Sequence, residues 1–304
     1  MSFLDMFNED LFTTILSALI PILLAALGGM IAERAGIFNI GLEGMILIGA
    51  FCGVAASFFT HNWVMGVLAA MLAGALFSVI LGYGAVYRKG DPIVLAIAMN
   101  ILAVGMTSFL LVAIFDVQGV FQDPGIVGIP KWEIPFLSDI PVLGALFSLT
   151  PLGYLALLLV PALWIMLFRM PIGMRLRGVG ERPLAAATLG VKPERYQLGA
   201  VIASGALAGL GGAQLALGNV VLFTENMSAG RGWIAVVAVM LARAHPVGVL
   251  GAAVLFGFAD AIGFRLQIFG LPPQLTDAAP YVVTLLVLIF TSRRFRKPRE
   301  AALA

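Results

Sequence analysis

LFTTILSALIPILLAALGGMIAERAGIFNIGLEGMILIGAF, residues 11–51, holds two apolar runs parted by a single charged pair, Glu33–Arg34. The first, 11–32, is long enough to cross the hydrocarbon core of a bilayer, which takes about 20 apolar residues in a helix. The second opens near Asn39 and continues to residue 60. Two such runs in succession dictate a polytopic membrane protein, because lipid offers no partner for an unpaired backbone group and a helix satisfies its own. Further runs lie near 63–87, 92–115, 151–168, 198–219, 247–266 and 279–291, with a short one at 232–242. The expected fold is therefore all-α, one helix bundle spanning 1–304 with eight or nine transmembrane segments. The short run must borrow from its flanks, tilt, or be buried against other helices.

Composition agrees with that reading. Of 304 residues 61% are hydrophobic and 11% charged, where a soluble domain carries about 25% charged residues. A soluble enzyme, a nucleic-acid binder and a disordered scaffold are excluded. The net charge of +2 says less than its distribution. Placing Arg34, Arg88–Lys89, the 169–197 stretch, Arg243 and the C-terminal tail on the cytoplasmic side puts fifteen of the eighteen Lys and Arg there, as the positive-inside rule demands. If all nine runs cross, the N-terminus is outside and the C-terminus inside; a re-entrant 232–242 would bring the N-terminus in. The acidic opening MSFLDMFNED is unlike a cleavable signal peptide, so the first run is expected to stay. The basic SRRFRKPRE of the tail reads as an orientation signal and an anionic-lipid contact.

Reactive chemistry is sparse. Cys52 is the single cysteine and lies in an apolar run, His61 and His245 are far apart, and no metal-ligand spacing occurs. None of the four lysines follows a glycine, so there is no phosphate-binding loop, and HExxH and GxSxG are absent. The chain is expected to be non-catalytic, with no metal and no cofactor of its own. If it pumps, the energy comes from another subunit or from an ion gradient.

Two hydrophilic stretches break the pattern. Residues 116–150 contain Pro124, Pro130, Pro135 and Pro141 and are expected to form an irregular outer loop, a lid or docking surface or a plain connector. Residues 169–197 carry six basic residues and fall inside. Within the spans, Glu43 and Asp260 are costly in lipid: Glu43 serves a pathway, glues helices or forms a structural ion pair, and Asp260 pairs with Arg265 or reaches toward the surface. Asn39, Asn100 and Gln214 each need a hydrogen-bond partner. Gly205 and Gly209 form a GxxxG step that lets helices pack closely.

ERAGIFNIGLEGMILIGAF (33–51) resembles the signature of permease subunits of the ABC importers that serve branched-chain amino acids, ribose and other simple sugars, and nucleosides, and it is nearest to the nucleoside type. RGVGERPLAAATLGV (177–191), SGALAGLGGAQLAL (204–217) and GRGWIAVVAVMLARAHPVGVLGAAVLFG (230–257) agree, extending the resemblance over 33–257. It implies an ABC importer permease fold in a bacterial cytoplasmic (inner) membrane, paired with a second, homologous permease. It also implies a cytoplasmic ABC ATPase that binds ATP and Mg, and an extracytoplasmic substrate-binding protein. By that resemblance Glu181, Ala185, Ala186 and Gly190 form the ATPase-docking helix, Gly190 ending it. One departure is Arg243-Ala-His-Pro, where a glycine-rich turn is usual. For a nucleoside, with its apolar base and polar ribose, the pathway candidates are Asn39, Glu43, Asn100 and Gln214, with Phe51 as a stacking face. Simple sugars or branched-chain amino acids are the alternatives within the class. Outside it stands an ion-coupled secondary transporter using Glu43 and Asp260.

Overall fold

The computed structural model describes residues 9–133 and 144–268, together with Val282. In chain order these form α1 (Glu9–Arg34), α2 (Leu42–Thr60), α3 (Trp63–Gly82) continued by a π-helical turn (Tyr83–Tyr87), and α4 (Pro92–Phe115). Strands β1 (Val120–Phe121), β2 (Trp132–Glu133) and β3 (Ser148–Leu149) follow, then α5 (Pro151–Arg169), α6 (Pro171–Glu181) and α7 (Pro183–Thr188). The last described elements are α8 (Pro193–Ala213) with a π-helical extension (Gln214–Val220), β4 (Phe223–Thr224), α9 (Arg231–Leu241) and α10 (Pro246–Ile268). Seven of the helices are long and apolar enough to cross a membrane, and α9 is the short one. The run near 279–291 lies outside the described residues.

Local chemistry explains where helices begin. Six of them, α4 through α8 and α10, open on proline, whose fixed φ suits the first turn and whose missing N–H would be unpaired there anyway. Asn62, Asp91 and Thr150 cap α3, α4 and α5 by accepting backbone N–H groups from Val64, Ile93 and Gly153. Two predicted boundaries shift. α2 starts at Leu42 rather than Asn39, and α8 starts at Pro193 and runs past 219.

α8 is the hub of the bundle, packed on α1, α2 and α3 through small residues. A Cβ on Gly49 would stand 2.5 Å from the Gly209 Cα, and one on Gly28 would stand 2.6 Å from the Ser204 carbonyl oxygen. Gly205 and Gly209 lie against Gly74 of α3. The GxxxG step thus brings backbones together where lipid supplies no hydrophobic drive for association. α3, α4 and α5 form the periphery and turn Leu76, Ile101 and Leu158 outward.

The two ends of the bundle are distinct. At one, Gly36 meets Gly180 of α6, and Arg34 Nε donates to the Ala244 carbonyl at 2.6 Å. At the other, β1 pairs antiparallel with β4, and His61 Nδ1 lies 3.1 Å from the Gly125 carbonyl. The basic 169–197 stretch and Arg243 thus share an end opposite the proline-rich loop. The stretch from β4 to Ala244 joins the two ends: turns at 225–230 carry the chain into the bundle interior, and α9 leads from there to the turn braced by Arg34. The short apolar run forms α9, an 11-residue helix below membrane-spanning length whose start lies buried against Glu43.

Candidate functional site

The chain is discontinuous at the middle of the bundle. Residues 35–41 are not helical, so α2 begins below the surface, and its first N–H groups need partners that lipid cannot supply. Two asparagines provide them. Asn39 Oδ1 accepts the Gly41 N–H at 2.9 Å while its Nδ2 donates to Ser204 Oγ at 2.9 Å. Asn100, on α4, accepts the Gly44 N–H at 2.9 Å and donates to the Ile40 carbonyl at 3.1 Å.

Glu43 sits in the first turn of α2 and binds the start of α9. Its Oε1 accepts the Gly230 N–H at 2.8 Å and its Oε2 the Gly232 N–H at 2.7 Å. One buried carboxylate therefore lies at two helix N-termini, each carrying roughly half a positive charge. That compensation makes an acid tolerable at this depth. Gly230 adopts φ of 85°, a conformation glycine enters without strain, and Gly232 lies so close to Glu43 that a Cβ there would overlap its backbone. Arg231 beside them pairs with Asp260 of α10 at 3.7 Å. Sequence reasoning singled out Asp260 together with Arg265 of the same helix and did not single out Arg231 of α9, which meets Asp260 from a different element. Ser228 Oγ and Arg231 Nε are buried here without a hydrogen-bond partner.

The other two pathway candidates lie elsewhere. Phe51 is buried edge-on to Phe223 (5.2 Å between centroids) and Phe115 (6.2 Å), within an aromatic cluster that continues to Phe58 and Phe121. Gln214 accepts from Thr150 Oγ1 at 2.7 Å and donates to Asn219 Oδ1 at 3.0 Å. Asn219 in turn donates to the Ser17 carbonyl at 3.0 Å. That carbonyl is free because Pro21, four residues on in α1, has no N–H to give it. A cavity of about 20 Å³, lined by Ser17, Thr150, Gln214 and Asn219, adjoins the network and is large enough for one water. Asn39, Glu43 and Asn100 are thus brought together, whereas Phe51 and Gln214 are not. Asn219, Thr150 and Arg231 escaped the sequence reading.

At the basic end, the loop folds into two short helices. Glu181 closes α6, α7 occupies Pro183–Thr188, and Gly190 follows at φ 80°. Leu184 is 84% exposed and Ala185 is exposed, while Ala186 is turned inward and buried. The Arg243-Ala-His-Pro turn holds Arg243 and Ala244 at φ of 51° without a glycine. Arg34 braces it through both carbonyls, and the Phe168 ring lies tilted against His245, 5.2 Å between centroids. Among the described residues no cluster of His, Cys, Asp and Glu could hold a metal ion.

A polytopic bundle with a central small-residue helix, half-helices meeting at its middle and an exposed helical loop at its basic end defines the membrane subunit of a transporter. The model of the family described as branched-chain amino acid transport system / permease component matches residues 11–291, and the chain belongs to that family. It is 40% identical over 281 residues to the guanosine ABC transporter permease protein NupQ of Bacillus subtilis, covering 88% of this chain and 87% of that one. It is 37% identical over 284 residues to the nucleoside ABC transporter permease protein NupC of Lactococcus lactis, with the same coverage of 88% and 87%. The glucose ABC transporter permease protein TsgB13 of Haloferax volcanii is 26% identical, covering 94% of this chain and 78% of that one. Among solved structures, PsaBC from Streptococcus pneumoniae in complex with Fab is similar at a TM-score of 0.50 and 14% identity, over 91% of this chain and 90% of that one. Such likeness speaks to the fold alone. The protein is a multi-pass membrane protein and a non-catalytic permease subunit of an ABC transporter, a class that works with an ATPase and further components.

Proposed function

We propose that this chain forms the membrane passage of an ATP-driven importer that brings nucleosides across a bacterial cytoplasmic membrane. The observation that carries the substrate class is the 40% and 37% identity to relatives named for guanosine and for nucleosides, along 88% of the chain in each case. A sugar is the second reading, favoured by the glucose permease among the relatives. Ion coupling through Glu43 and Asp260 is not carried forward: the acid oxygens of Glu43 are occupied by backbone N–H groups and Asp260 faces Arg231.

The partners in this reading are a second, homologous permease, a cytoplasmic ABC ATPase that binds ATP and Mg, and an extracytoplasmic binding protein that supplies the affinity. α7 is the surface for the ATPase, since Leu184 and Ala185 project from a basic loop and are exposed among the described residues. Within the passage Asn39, Glu43 and Asn100 act as positioning groups, holding α2 and α9 so that the faces beside them meet the solute. Phe51 and Gln214 keep the opposite end of the passage in shape. A passage needs only weak, transient contacts when affinity lies in another component, which accounts for so few buried polar side chains.

The test is uptake of radiolabelled guanosine by cells lacking the gene, complemented with the wild-type chain or with Leu184→Glu. Uptake is expected to vanish on deletion, to return with the wild type, and to stay absent with Leu184→Glu although that variant reaches the membrane in normal amounts. Unchanged guanosine uptake after deletion, with loss of glucose uptake, would move the assignment to the sugar reading.

A further inference from the structure

Two cavities on the flank of the basic end run into one another. The first, about 590 Å³, is an apolar groove between α5, α6 and α8 lined by Leu163, Met166, Leu176, Ala203 and Leu207. The second, about 310 Å³, is lined by Arg175, Lys192, Arg195, Leu189 and Gly190. Arg195 and Tyr196 line both, so they form the seam where apolar wall gives way to positive charge. No carboxylate lines either space, and among the described residues Arg175, Lys192 and Arg195 take part in no ion pair within the chain. Arg175 Nη1 reaches only the Tyr196 hydroxyl, at 3.5 Å.

We infer that this composite cleft is a binding site for one anionic phospholipid of the cytoplasmic leaflet, its phosphate among Arg175, Lys192 and Arg195 and an acyl chain in the groove between α5 and α8. Three arguments converge. Two of the groove's three walls, α5 and α8, are helices long and apolar enough to span a membrane, so its lining matches an acyl chain. The three cations gather around the start of α8 at the basic end of the bundle, and an unpaired cluster at the cytoplasmic end of a spanning helix attracts anionic lipid. α6, which carries Arg175, also exposes Ile172 and Met174, as an interfacial helix does when it lies between headgroup and acyl layers. Tyr196 at the seam is the residue type that sits at that boundary. Bound there, the lipid would tie α6, and with it α7, to the membrane-embedded α8.

The experiment is native mass spectrometry of the purified full-length chain in detergent, titrated in turn with phosphatidylglycerol, phosphatidylcholine and inorganic phosphate. The wild type is expected to retain phosphatidylglycerol at least tenfold more strongly than phosphatidylcholine. Arg175→Gln with Arg195→Gln should weaken phosphatidylglycerol about thirtyfold, the factor two juxtamembrane cations contribute, and leave phosphatidylcholine unchanged. Ala203→Trp, which fills the groove, should weaken both lipids. Arg88→Gln with Lys89→Gln, cations at the same end but outside the cleft, should change neither. Equal retention of the two lipids by the wild type, or an unchanged phosphatidylglycerol titration in the double arginine variant, overturns the inference. Displacement of phosphatidylglycerol by phosphate at similar concentration also overturns it, since the site would then serve a free anion.

Discussion

Glu43 shows what a single residue can and cannot announce. Its charge inside an apolar run marks it at once, because a carboxylate in lipid costs about 2.5–3.5 kcal/mol on insertion scales and needs a reason. The reason lies 187 and 189 residues later, at Gly230 and Gly232, and no local pattern points there. Asp260 and Arg231 repeat the lesson, as does Asn219, which donates to the Ser17 carbonyl that Pro21 in another helix leaves free. The two-oxygen arrangement at Glu43 makes a definite prediction. Glu43→Gln keeps one acceptor and swaps the other for an amide that cannot accept, leaving one buried N–H unpaired. It should cost about 1–3 kcal/mol, and Glu43→Ala should cost more, since it leaves both unpaired. Denaturant midpoints of the purified chain, with Gln between wild type and Ala, check this. A Gln variant as stable as wild type would mean that the second bond contributes nothing.

At the scale of elements, the apolar runs are legible because lipid enforces length and hydropathy on each helix separately. Their ends are less so: Asn39 reads as the start of a span, yet it lies in the non-helical 35–41 segment and accepts the Gly41 N–H just ahead of α2. The short run at 232–242 could not be placed from its own residues, since the chain reaches it through the turns at 225–230 that follow β4. The glycines of α8 were visible as a packing surface, although their partners Gly74 on α3 and Gly49 on α2 were not. Packing distance now separates glycines that look alike. A Cβ on Gly209 would overlap the Ala70 carbonyl, whereas nothing stands within 4 Å of one on Gly105. Gly209→Ala should therefore destabilise by about 1–3 kcal/mol through overpacking. Gly105→Ala, inside α4, should stabilise by about 1 kcal/mol through helix propensity. Opposite shifts in thermal melting confirm the contrast, and shifts of one sign would refute it.

For the whole molecule, the distribution of Lys and Arg said more than any motif about how the bundle sits. Arg34, the 169–197 loop and Arg243 come from distant parts of the sequence, and the structure gathers them at one end. The proline-rich loop from 116 and the β4 strand meet at the other. That division was readable because the bilayer sorts charge by side regardless of how helices pack; the packing itself, with α8 at the centre, was not. Sidedness has a direct consequence for α4, which must carry the chain between the two ends. In a Cys52→Ala background, which removes the native thiol, Arg88→Cys and Gln118→Cys flank α4 at exposed positions. A membrane-impermeant maleimide applied to intact cells should label Gln118→Cys and reach Arg88→Cys only after permeabilisation. The reverse pattern would turn the molecule over and put α7 out of reach of any cytoplasmic ATPase. Labelling of both from one side would mean that α4 does not cross, which its 24 apolar-rich residues between Pro92 and Phe115 forbid in a bilayer of ordinary thickness.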